Sequence, residues 1–205
     1  MTYLNTKQQA MIPIAAFTAN GKLDHLSLAI INGLENGLSI NEIKEIQIQL
    51  YTYVGFPRAI NGISTLMAVV NERKSSNIHD EVGKEATPIA ENIDILAIGT
   101  EVQTQLAGKV VEGPLFDFAP TLNQFLRAHL FGDIFIRDVL NHQDREIATI
   151  AALATIQGAD AQLKAHYGIA LNTGLTQIQL QEITQIITSK VNEDTGNYAK
   201  RILKQ

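Results

Sequence analysis

The chain has no cysteine among its 205 residues. That excludes disulfides, thiolate metal sites and every mechanism that runs through a thiol. It fits a cytoplasmic protein, which is the expected location. A long apolar run is missing as well. The longest nearly apolar stretch, Ile147 to Ile156, is about half of the ~20 residues that a membrane-spanning helix needs, and it reads as a buried helix. Met1 to Ala10 is polar and lacks the apolar core of a signal peptide. Positive charge is in short supply too. There are 16 Lys and Arg against 21 Asp and Glu, a formal net charge of −5. A nucleic-acid binder ordinarily shows a basic face, so neither nucleic acid nor membrane is an expected partner. A local basic pocket for an anionic substrate stays compatible with this balance. Strand signals are weak, because alternation is absent and Ala, Leu, Ile and Gln dominate. With 45% hydrophobic and 18% charged residues, the chain has the composition of a globular protein.

What is present is an internal similarity. A shift of 137 residues, without gaps, places Ala15 on Ala152, Thr18 on Thr155, Gly21 on Gly158 and Leu26 on Leu163. It also places Leu34 on Leu171, Gly37 on Gly174, Leu38 on Leu175, Glu45 on Glu182 and Ile46 on Ile183. Ser39 with Glu42 reads as a capping box, a hydroxyl at the N-cap and a carboxylate three residues on. Thr176 and Gln179 repeat the device. Ile43, Ile46 and Leu50 then follow at helical spacing, as do Leu180, Ile183 and Ile187. Gly37 and Gly174 each stand where a preceding helix should end.

The pattern predicts helices over about Thr6 to Ala19, Asp24 to Asn36, Asn41 to Tyr53 and Pro57 to Asn71. The second set covers about Gln143 to Ile156, Ala159 to Thr173, Gln177 to Glu193 and Thr195 to Lys204. Arg73 to Glu91 is charged and polar and reads as a surface excursion. Ile93 to Ala107 reads as a helix, Gly113, Pro114 and Pro120 as turns, and Thr121 or Asn123 as the cap of a helix reaching Phe131. The expected organisation is a first repeat at 1–71, a connecting segment at 72–120 and a second repeat at 121–205, in an all-α fold.

Several segments carry a family likeness. Tyr53-Val54-Gly55-Phe56-Pro57 resembles the Tyr-x-Gly-x-Pro motif of carboxymuconolactone decarboxylase-like proteins. His129 to Phe135 resembles the block that opens the second half of tandem members. Asp144-Arg145-Glu146 with Ala148 to Leu153 is similar to the family's Arg-bearing helix. Leu163 to His166 with Ala170 to Thr176 is similar to its His-to-Gly signature. The resemblance implies the all-α fold of alkylhydroperoxidase D and a symmetric assembly. Single-repeat members form hexamers, so a tandem chain is expected to form a homotrimer, a pseudo-hexamer. The hydroperoxidase branch of that family uses Glu-x11-Cys-x2-Cys-x3-His. Counted from Glu45, those positions hold Pro57, Ile60 and Ser64; counted from Glu182 they hold Asp194, Asn197 and Arg201. A dithiol peroxidase mechanism is chemically closed to this chain. The family histidine found at His166 is Ala29 in the first repeat, and Arg145 shifts onto Gln8.

The likeness implies a cofactor-free lyase that decarboxylates a small carboxylated lactone or related acid. Such a reaction needs a cation for the substrate carboxylate, a stabiliser for enolate-like charge and an acid that protonates carbon. Arg145 offers a bidentate fork, and His129 or His166 a proton donor near neutral pH. Glu45, Glu182, Tyr53 and Arg58 are candidate substrate-binding residues. Each has a structural alternative. His166 would sit among Leu163, Ala170 and Leu171; His129 would simply bond Asp133 four residues on. Arg145 would be a solvated charge at a helix start, the two glutamates interhelical hydrogen-bond partners, and Tyr53 and Pro57 parts of a turn. His25, His79 and His142 read as surface residues, and no metal and no cofactor is expected. The rival readings are an alkylhydroperoxidase-like antioxidant protein, disfavoured by the missing cysteines, and a non-catalytic helical oligomer that binds a metabolite.

Overall fold

A computed structural model describes residues 3–205, which form ten α-helices and no strand. They are α1 (Thr6–Asn20), α2 (Leu23–Glu35), α3 (Ile40–Ser75), α4 (Ile95–Ala107), α5 (Pro114–Phe118), α6 (Pro120–Phe125), α7 (His142–Ile156), α8 (Asp160–Asn172), α9 (Gln177–Ile186) and α10 (Glu193–Leu203). Two stretches wind as π-helix: Leu126–Ile134, continuing α6, and Ile187–Val191, continuing α9.

The centre of the fold is the pair α1 and α7, packed along each other. Both are buried on nearly every side over their central turns. Ala10 to Ala19 of α1, apart from Pro13, and Arg145 to Ala154 of α7 are buried. Small side chains at Ala15, Ala16, Ala148, Ala151 and Ala152, all fully buried, let these helices come close. Helices α2 and α3 cover α1, and α3 and α8 cover α7. One continuous apolar core results, drawing on residues from Leu4 to Ile202. A smaller cluster of Leu106, Leu130, Phe131, Ile134 and Phe135 joins α4 to the π-helical stretch.

Equivalent landmarks lie 137 residues apart. Helices α2 and α8 start at Leu23 and Asp160 and end at Glu35 and Asn172, and α3 and α9 start at Ile40 and Gln177. Gly37 and Gly174 take φ of 89° and 98° between these helices. Both capping boxes close: the Ser39 amide donates to Glu42 Oε2 at 2.7 Å and the Thr176 amide to Gln179 Oε1 at 2.9 Å. The helical ladder of α3 is interrupted at Gly55, where φ is 79° and ψ 159°. That left-handed value suits a residue without Cβ. The corresponding break falls at Asn192, with extended φ −170° and ψ 139°.

Some expected boundaries move. The helices around Tyr53 and Pro57 meet directly at Gly55 rather than across a loop. The one expected over Gln177 to Glu193 loosens into π geometry and stops at Val191. Neither Thr121 nor Asn123 is a cap: Pro120 opens α6, its missing N–H costing nothing at a helix start, and Ala119 is the N-cap residue. That helix runs past Phe131 to Ile134. His142 is half-buried, with Nε2 3.2 Å from the Phe135 carbonyl oxygen.

Candidate active site

Helix α3 presents Glu45, Gln49 and Tyr53 at four-residue spacing, hence on one face. They meet Arg145, Glu146 and Thr149 of α7, His166 of α8 and Arg137 of the segment before α7. The Arg145 side chain is fully buried. Its Nη2 donates to Glu45 Oε1 at 2.7 Å and to the Arg137 carbonyl at 2.8 Å, and its Nη1 to Gln49 Oε1 at 3.0 Å. The Gln49 amide nitrogen donates onward to Thr149 Oγ1 at 2.7 Å and to the Arg145 carbonyl at 2.8 Å. Arg137 Nε and Nη2 grip the other side of Glu45, at 2.9 to 3.1 Å. One buried carboxylate thus holds two guanidiniums. Burial pulls the Arg145 guanidinium below its ordinary value against the opposing pull of Glu45. The hydrogen bond to Glu45 raises Arg137.

His166 lies beside this network. Its Nδ1 is 2.7 Å from Glu146 Oε2, and both residues are buried. With Nδ1–H donated to the carboxylate, Nε2 is the ring nitrogen left to exchange a proton. The Tyr53 ring meets the imidazole edge-on, centroids 5.7 Å apart at 76°. Tyr53 is half-buried as a residue, but its hydroxyl is wholly buried. Burial and then the Glu146 carboxylate push the phenol well above its usual value, while Thr149 and Arg145 pull it down.

Three buried polar atoms of this cluster have no hydrogen-bond partner among the described residues: Tyr53 Oη, Arg145 Nε and Glu146 Oε1. Each such atom costs about 1–3 kcal/mol. Three in one cluster set it apart from the rest of the core, where buried polar atoms are ordinarily paired. Tyr53 also borders a cavity of about 400 Å³, together with Asn20, Arg58 and Thr155. Arg58 is exposed and forms no ion pair among the described residues.

The structure therefore gathers Glu45, Tyr53, Arg145 and His166, with Arg58 a turn beyond Tyr53. It does not bring in the other two candidates. Glu182 is half-buried on α9 and accepts from the Leu4 amide at 2.8 Å and from Gln9 Nε2 at 3.1 Å. His129 lies half-exposed in the π-helical stretch, its Nδ1 2.6 Å from Asp133 Oδ2 and its ring against Tyr51. It faces outward because Leu130, Phe131 and Ile134 fill the core side of that stretch. Arg145 is not an open clamp either, since both its terminal nitrogens are engaged by protein oxygens. Four members of the cluster escaped the sequence reading: Gln49, Glu146, Thr149 and Arg137. Spacing held a signal for two of them, because Gln49 stands four residues from both Glu45 and Tyr53, and Thr149 four from Arg145. Among the described residues, no three His, Asp or Glu side chains are grouped to hold a metal ion, and no helix is long and apolar enough to cross a membrane.

An all-α protein with a buried carboxylate–imidazole pair beside an unpartnered phenol is the class that fold and site define. Residues 120–204 match the model of the carboxymuconolactone decarboxylase family. The matched stretch contains Arg137, Arg145, Glu146, Thr149 and His166; Glu45, Gln49 and Tyr53 come from the part before it. No curated protein matches the chain significantly.

Proposed function

We propose that the protein is a cofactor-free, decarboxylase-like lyase acting on a small carboxylated lactone or related acid. The observation that carries this reading is the Tyr53–Glu146–His166 constellation with its unpartnered polar atoms, next to a cavity that holds a free guanidinium. The charges set the logic. Glu45 and Glu146 balance Arg137 and Arg145, so a protonated His166 makes the site cationic and suited to an anion. Arg58 holds one substrate carboxylate at the mouth through its planar fork. The scissile carbon–carbon bond breaks, carbon dioxide leaves, and the bonding electrons pass into the neighbouring carbonyl as an enolate. Tyr53 Oη–H donates to that oxygen in a site from which water is largely excluded. His166 Nε2–H then delivers its proton to carbon, while Glu146 holds the ring in place. Glu45, Gln49, Arg137 and Arg145 are positioning residues that lock α3 onto α7.

The same proposal includes two copies of one helical unit, of which only one pairing has kept the polar groups, and a homotrimeric assembly. The matching landmarks of α2 with α8 and α3 with α9 support the first. The test is release of carbon dioxide from carboxymuconolactone and a panel of small β-keto acids by the purified protein. His166→Asn is expected to lower kcat by about 10²–10⁴-fold, and Arg58→Gln to act mainly on KM. No release above the uncatalysed rate from any acid would leave the metabolite-binding reading in its place. An undiminished rate in His166→Asn would remove the mechanism.

A further inference from the structure

The position that mirrors the candidate site is hollow. Shifting the site residues by 137 positions carries Glu146 onto Gln9, His166 onto Ala29, Gln49 onto Ile186 and Tyr53 onto Lys190. All four of these counterparts line a single cavity of about 410 Å³, between α1, α2 and the end of α9. The chemistry is inverted. A fully buried glutamate has become a neutral amide, an imidazole has become a methyl group that opens room, and a buried amide has become an isoleucine. Pro13, Phe17 and Leu28 form an apolar wall, and Thr6, His25, Asn32 and Asn36 are the polar remainder of the lining.

Among the described residues, the one fixed charge lining this cavity is cationic. Lys190 is exposed and, among the described residues, makes no ion pair. It lies in the π-helical turn Ile187–Val191. Among the described residues, no carboxylate lines the cavity. Glu182, one turn before Ile186 on α9, is occupied by the Leu4 amide and by Gln9 Nε2. An ammonium at the rim of an apolar hollow is complementary to an amphiphilic anion, whose chain fills the hollow and whose head stays at the wet edge. The volume lies within the usual range of small-molecule sites, about 300–1,000 Å³.

We propose that this cavity is a second ligand site, separate from the Tyr53–His166 cluster, and that it takes a medium-chain monocarboxylate. The carboxylate pairs with Lys190, and the chain lies over Ala29 and Ile186 against Phe17 and Leu28. This site does not depend on the chain being a decarboxylase.

Octanoate is the probe, and octanamide its uncharged counterpart, both titrated into the full-length protein and followed by amide NMR shifts. Octanoate is expected to shift resonances around Ala29, Ile186 and Lys190. Its affinity is expected to exceed that of octanamide by about tenfold, a gap that Lys190→Gln closes, as loss of one charge-assisted contact should. Ala29→Leu, which fills the hollow, is expected to remove binding of both probes, with circular dichroism reporting that the fold is intact. His166→Asn leaves octanoate binding unchanged if the sites are separate. Shifts centred on Tyr53 and Arg58, equal affinity for the two probes, or no shift at millimolar octanoate would each overturn the assignment.

Discussion

Glu45 is the residue on which the site's geometry turns. The guanidiniums of Arg137 and Arg145 meet on its carboxylate, and the side chain of Arg145 has no contact with solvent. Removing the negative charge while keeping the shape leaves a buried cation uncompensated. Glu45→Gln is therefore expected to lose about 3–5 kcal/mol of stability, read as a lower urea midpoint; an unchanged midpoint would mean the network is not holding the helices together. Tyr53 makes a different prediction, about pH. Its folded-state value lies above the ordinary phenol value of about 10, raised first by burial and then by Glu146. A raised value gives stability that is whole below pH ~10 and is lost as pH climbs from there toward the folded value, because only the unfolded chain ionises in that window. Tyr167 is raised by burial in the same direction. Tyr53→Phe should make the loss of stability above pH 10 shallower by about 1.4 kcal/mol per pH unit, measured by denaturant unfolding between pH 9 and 11.5. Parallel slopes for wild type and variant would show that the phenol ionises freely in the folded protein.

Between elements, α4 and the π-helical stretch come into backbone contact. A Cβ built on Gly99 would come to 1.9 Å from the Arg127 carbonyl oxygen, and one on Gly132 to 2.7 Å from the Ile95 carbonyl oxygen. These are backbone contacts that no rotamer change relieves. Gly99→Ala is expected to cost about 3 kcal/mol, at the upper end of overpacking penalties. Gly168, inside α8, has nothing within 4 Å of a built Cβ, so Gly168→Ala should instead gain about 0.5–1 kcal/mol from helix propensity. Opposite shifts in thermal midpoint would bear both out, and a tolerated Gly99→Ala would mean the two helices are free to separate. The contrast explains what the sequence could convey. Helix starts at Ile40 and Gln177 were legible because a capping box is a local device. The π winding of Leu126–Ile134 was not, because its packing partner Ile95 is some thirty residues away. The Arg145–Glu45 bond joins residues 100 apart, and nothing in the local pattern around Arg145 distinguishes that partner from solvent. His166 was legible as a candidate through its motif, whereas nothing in the spacing around its partner Glu146 tied that carboxylate to a histidine on the next helix.

For the molecule as a whole, the question is what covers its apolar outside. After the break at Gly55, α3 carries Phe56, Ile60, Ile63 and Met67 on one face, and Phe56 and Met67 are each 62% exposed. Leu115, Phe118, Leu122 and Phe125 are exposed on α5, α6 and the turn between them, Phe118 to 88%. Apolar faces of this kind usually mark association surfaces, and the proposed trimer gives them an occupant. The α3 stripe begins directly after Tyr53 and passes Arg58, so a neighbouring copy seated there would also wall the mouth of the candidate site. Assembly and catalysis are then expected to fail together. Light scattering coupled to size exclusion should give three times the 22.5 kDa chain mass. Ile60→Glu combined with Met67→Glu should give one chain mass with unchanged helicity, because both side chains are solvent-facing in the single chain. If the double variant turns over substrate at the wild-type KM as a monomer, the mouth is closed by the chain itself. If wild type is already monomeric at tens of micromolar, the apolar faces need another explanation and the trimer is withdrawn, while the Tyr53–Glu146–His166 cluster, built wholly within one chain, stands untouched.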